Sequence, residues 1–152
     1  AALTDLLASL SNSPQLESAQ GFESILLNHD IIGEEIERSP GYADAMTRAL
    51  LQARPKDQLV KAFLAAPVQS IRADILHEKS NGVIEDSANI DVLAYHLVVQ
   101  PWGVLMLWTK GLLKLNQVNR ERKRTLLMTI IGNCKASRAK KYKKMLAELD
   151  GG

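Results

Sequence analysis

The sequence predicts an all-α fold: a single compact multi-helix domain of about eight or nine short helices, in orthogonal or irregular armadillo-like packing. Two observations carry this reading. Apolar residues recur at three- and four-residue spacing along most of the chain, and no segment alternates convincingly with the period of a strand. A third, the Ser-Pro and Asn-Gly punctuation, divides the pattern into short pieces. With 152 residues and 46% hydrophobic content, the chain is long enough to bury one sizeable core over 1–150, with 151–152 as a tail.

Thr4 caps a first short helix bearing Leu6, Leu7 and Leu10. Ser13-Pro14 places a capping residue before a proline at the first helical position, and Leu16, Ala19, Phe22, Ile25 and Leu26 follow at helical spacing. Asp30 opens a short helix with Ile31, Ile32 and Ile36. Ser39-Pro40 repeats the start signal ahead of Tyr42, Ala45, Met46, Ala49, Leu50 and Ala53, the cleanest amphipathic pattern in the chain. Pro55 and Pro67 each open another helix, and Asn81-Gly82 closes the second with a left-handed stop.

Asp86 to Asn89 supplies capping residues for an apolar helix running to Gln100. Pro101 then restarts the chain into a helix over 103–117. The last two helices fall at 119–131, stopped by Gly132-Asn133, and at 136–149. The stretch 92–109 contains no formal charge and is near the lower length limit for a membrane span. His96, Gln100 and the Pro101-Trp102-Gly103 break near its middle fit two consecutive core helices better, so a membrane is not the expected partner.

Charge divides the chain. Residues 1–100 hold 14 acidic against 7 basic side chains, a net −7, whereas 101–152 hold 12 basic against 3 acidic, a net +9. The overall balance of +2 hides this polarity. Two clusters carry the positive charge: Arg120, Arg122, Lys123 and Arg124, then Lys135, Arg138, Lys140, Lys141, Lys143 and Lys144. On the last helix Tyr142, Met145, Leu146 and Leu149 share one face and the lysines spread over the other, so the helix can dock while presenting ammonium groups to solvent. If a helix begins at Asn119, the first cluster crowds its N-terminus, where the dipole disfavours cations.

Catalytic and metal signatures are missing. His29, His77 and His96 form no i, i+4 pair, Cys134 has no cysteine neighbour, and no P-loop, nucleophile elbow or dinucleotide fingerprint occurs. The sequence therefore gives no cofactor, no metal and no enzyme. A single cysteine and the absence of a signal-like start point to an intracellular protein, cytoplasmic or nuclear, rather than a secreted one.

These features predict a nucleic-acid-binding protein, RNA before DNA, whose ten basic residues of 120–144 contact phosphates with little sequence specificity. Tyr142 is the only aromatic among the clusters, too few for base stacking. The alternative is a protein-interaction module, either meeting an acidic protein surface or self-assembling as the acidic residues from Glu17 to Asp44 meet the basic end of another copy.

Overall fold

A computed structural model describes residues 18–151 of the chain; the helix starts expected at Thr4 and Ser13-Pro14 lie outside them. Among the described residues there are six principal helices: α1 (Gly21–Arg38), α2 (Pro40–Gln52), α3 (Ala66–Ser80), α4 (Ile90–Thr109), α5 (Leu115–Asn133) and α6 (Lys140–Asp150). A short turn at Gln58–Val60 and a π-helical segment at Lys61–Ala65 lead into α3 without a break, and a 3-10 turn at Ala136–Arg138 precedes α6. No strand occurs among the described residues, although an isolated antiparallel bridge joins Ile84 to Cys134.

The all-α class is observed, but the described residues form fewer helices than expected over them, because several breaks read from the sequence are not breaks. Asp30 starts no helix; it lies inside α1. Pro55 stands in the turn before a new helical run that starts at Gln58, but Pro67 opens no separate helix within that run. Pro67 lacks the N–H that would bond the Phe63 carbonyl, and the widened π turn joins the two pieces instead. The freed Phe63 carbonyl accepts from Trp102 Nε1 at 3.3 Å, and the two rings meet edge-to-face at 5.9 Å. Pro101 likewise sits inside α4 rather than restarting the chain.

The true stop comes later, at Gly111. Its φ of +78° lets the chain leave α4 with Gly111 N–H on the Trp108 carbonyl and Leu112 N–H on the Leu107 carbonyl, a Schellman ending. Helix α5 therefore begins at Leu115, where Gln117 accepts from the Lys114 N–H, and the basic cluster at 120–124 lies beyond the first turn. The stop expected at Asn81-Gly82 is observed, with the same pair of bonds.

Two apolar clusters hold the helices. The larger contains Phe22, Ile25, Leu26, Ile75, Leu97, Leu126, Leu127, Ile130 and Tyr142; the smaller contains Ile36, Val104, Leu105 and Val118. Helix α4 is central and packs on α2, α3 and α5. Its buried residues Leu93, Ala94 and Leu97 feed the larger cluster and Val104 and Leu105 the smaller, while Val92, Tyr95, Val99, Met106 and Leu107 remain exposed. By length and composition α4 alone among the described helices could cross a membrane, and 33% of that stretch is buried inside the fold, so its apolar character is shared between core and surface.

Helix α1 is seated by carboxylates from α3. Asp74 Oδ1 accepts from Gly21 N–H at 3.1 Å and Glu78 Oε1 from Phe22 N–H at 2.8 Å. Two of the donors that a helix start leaves open are thereby satisfied from 53 and 56 residues away. Gly21 has φ +66°, and a Cβ there would stand 2.1 Å from Glu78 Oε1. Gly82 has φ +70° but open space around it. Gly21→Ala is thus expected to cost about 2–4 kcal/mol, and Gly82→Ala about 1–2 kcal/mol, in urea unfolding; equal losses would show that the α1–α3 clamp contributes nothing.

Candidate functional site

The basic third of the chain separates into two populations. On α5 the buried residues Val118, Arg122, Leu126, Leu127 and Ile130 form the inner face. Arg122 falls on the i, i+4 ladder of Val118, Leu126 and Ile130, and its side chain is only 3% exposed. The expectation that Arg122 meets an external phosphate is therefore corrected: helical periodicity carries it into the interior. That spacing was readable in the sequence, where the run of charges around it masked the signal.

The rest of the first cluster is engaged within the chain. Lys123 Nζ lies 3.2 Å from both carboxylate oxygens of Asp30. Arg124 Nε meets Glu121 at 3.1 Å and its Nη1 bonds Asp150, while Arg120 Nε lies 3.5 Å from Glu121. Lys135 reaches Asp86 at 3.7 Å, a loose contact on an exposed carboxylate.

The second population is free. Arg138, Lys140, Lys141, Lys143 and Lys144 are exposed, and none has a carboxylate within 4.0 Å among the described residues. Helix α6 holds the four lysines in place by its opposite side, and Arg138 sits in the 3-10 turn just before it. Tyr142 is 2% exposed and packs edge-on against Phe22 at 5.7 Å, with Met145, Leu146 and Leu149 beside it against the same cluster. Lys141 Nζ sits 4.9 Å above the Tyr142 ring. Burial also pushes the Tyr142 phenol above its ordinary range. The lone aromatic of the basic region is thus part of the core and offers no platform for a base.

Between the helices, Arg122 and His29 border a partly open cavity of about 510 Å³ lined by α1, α2, α3, α4, α5 and the π turn. Residues of both apolar clusters line it, including Ile25, Leu97 and Leu126 from one and Ile36 and Leu105 from the other. Arg122 Nη1 donates to Asn119 Oδ1 at 3.5 Å, the outer limit of a hydrogen bond, and Arg122 Nε has no acceptor. Asn119 is itself fixed by donating to the Gly33 carbonyl at 2.9 Å and to Glu37 at 2.8 Å. Burial lowers the Arg122 guanidinium to about 10, which leaves it charged at neutral pH.

His29, 4% exposed, has Nδ1 3.3 Å from Asp30 Oδ1 and an unpartnered Nε2. Burial lowers its pKa, and the nearby Arg122 and Lys123 charges act in the same direction against the Asp30 hydrogen bond. Burial would raise Asp30, but bonds from His29 and Lys123 hold it below its ordinary value. His29 belongs to the apolar stripe of Phe22, Ile25, Leu26 and Ile36, a pattern hidden when Asp30 is taken as a helix start. Among the described residues no group of three or more His, Cys, Asp and Glu side chains is placed to hold a metal ion.

Because folded His29 refuses a proton that the unfolded chain accepts, its contribution to stability is present above 6.5 and is lost as pH falls below that value. Thermal unfolding across pH should show this slope just below 6.5, and His29→Gln should flatten it there. An unchanged slope in the variant would show that His29 is not the group responsible. The chain matches no family model, no curated protein and no solved structure.

Proposed function

We propose that this protein is a non-enzymatic nucleic-acid-binding module, favouring RNA, that grips phosphates through Arg138, Lys140, Lys141, Lys143 and Lys144. The observation that carries this reading is the unpaired state of these five cations on a docked segment, next to a first cluster in which Arg120, Lys123 and Arg124 have carboxylate partners and Arg122 is buried. Their contacts would be to backbone, since the only aromatic among them is buried. A helix anchored by Tyr142 sets the spacing of the charges, which favours an ordered surface over a loose tail.

The alternative, an interaction module that self-assembles from acidic front to basic end, draws less support. Much of the acidic front is occupied inside the chain: Asp30 by Lys123, Glu35 by Arg38, Glu37 by Asn119, Asp44 by Arg48, and Asp74 and Glu78 by the start of α1. Glu23 and Glu34 remain exposed on α1 as the residues such an assembly would use.

A labelled single-stranded oligonucleotide titrated over a salt series checks the reading. Five phosphate contacts give a slope of roughly −3.5 in log K against log salt. Replacing Lys140, Lys141, Lys143 and Lys144 together by Glu should abolish binding, whereas Lys123→Glu should leave the slope unchanged. No retention at about 50 mM salt removes the nucleic-acid reading. Light scattering at low and high salt separates the alternative: association that dissolves with salt supports it, and an invariant monomer excludes it.

A further inference from the structure

The cavity beneath α1 has the composition of a ligand site. Its volume of about 510 Å³ lies in the range of small-molecule pockets, and Ile32, Ile36, Phe63, Leu97, Trp102 and Leu105 give it a largely apolar wall. Two prolines help keep it open. Pro67 accompanies the widened π turn carrying Phe63, and Pro101 deprives the Leu97 carbonyl of its helical donor; all four residues line the space.

One full charge stands against this apolar wall. Arg122 is 3% exposed, its Nε–H has no acceptor, and no carboxylate lies within ion-pair distance of it among the described residues. The nearest acidic group acting on it, Asp30, is committed to Lys123 and His29. A buried guanidinium without a counter-charge costs several kcal/mol, far more than the distant Asn119 amide recovers. The hydroxyl of Tyr42, which also lines the cavity, is buried and unpartnered.

We propose that the cavity binds an apolar monocarboxylic acid, its carboxylate on Arg122 and its hydrocarbon body among the residues of α1, α3 and α4. A carboxylate matches the planar donor edge of a guanidinium and brings the single negative charge the site lacks. The apolar wall selects against a second charge or a large polar body. This site is separate from the lysine face of α6, and the two readings stand or fall independently.

Decanoate and decanol, equal in length and differing at the head group, test the assignment. The chain has two tryptophans, of which Trp102 lines the cavity and Trp108 does not, so Trp108→Phe leaves one local reporter. Terminally brominated decanoate should quench Trp102, and calorimetry should show unbrominated decanoate binding roughly ten to a hundred times more tightly than decanol. Arg122→Met, which keeps an unbranched apolar stem and removes the charge, should erase that preference while keeping decanol affinity. The variant replacing Lys140, Lys141, Lys143 and Lys144 by Glu should bind decanoate as the parent does. Equal affinity of the parent for acid and alcohol overturns the proposal and requires no variant to fold. So does the absence of quenching, undiminished decanoate binding by Arg122→Met, or loss of binding in the lysine variant.

Discussion

The grip of Asp74 and Glu78 on the first N–H groups of α1 is the constraint on which the remaining architecture rests. A helix start brings partial positive charge and open donors to one point, and two carboxylates one turn apart on α3 meet both. With the start fixed, Phe22 enters the core against Tyr142, and the rest of α1 lies along α5. That placement aligns Gly33 with Asn119 and Asp30 with Lys123, and it supplies one wall of the cavity. A glycine at 21 is the local condition, since any side chain would displace the Glu78 carboxylate.

Much of this was legible in the sequence, and the failures have physical causes. The Ser39-Pro40 start and the Asn81-Gly82 stop were readable because each acts through its own backbone geometry. Proline was over-read. Pro67 and Pro101 each remove one hydrogen bond, but a π turn and flanking core contacts carry the helix across, and those contacts come from residues far along the chain. Gly111 was missed because the apolar pattern continues on both sides of it. Spacing alone already placed the lysines of α6 opposite Tyr142. The interior position of Arg122 follows from the same rule, and the charges on either side of it in the sequence hide that periodicity.

Charge counted along a sequence differs from charge available at a surface. The ten cations singled out at 120–144 fall into one buried group, four with carboxylates nearby and five without. Among the described residues only two ion pairs join the acidic front to the basic end, Lys123 with Asp30 and Lys135 with Asp86, while Arg120 and Arg124 meet Glu121 and Asp150 of the basic third itself. The densest group of exposed cations without a carboxylate partner is the one at Arg138 and the start of α6.

The bridge between Ile84 and Cys134 has its own chemical consequence. It fastens the end of α5 to the chain entering α4, with Glu85 N–H on the Asn133 carbonyl and Lys135 N–H on the Val83 carbonyl, each at 2.9 Å. The thiol is sealed beneath it, 6% exposed, and burial pushes its pKa up to about 11. At neutral pH the nucleophilic thiolate is then present in on the order of one molecule in ten thousand, and it faces protein rather than solvent. The only sulfhydryl of the chain is therefore chemically quiet: peroxide, disulfides and alkylating agents find little to attack while the fold is closed. A thiol-reactive label becomes a sensor of opening at this seam, taken up only when the last turn of α5 lets go.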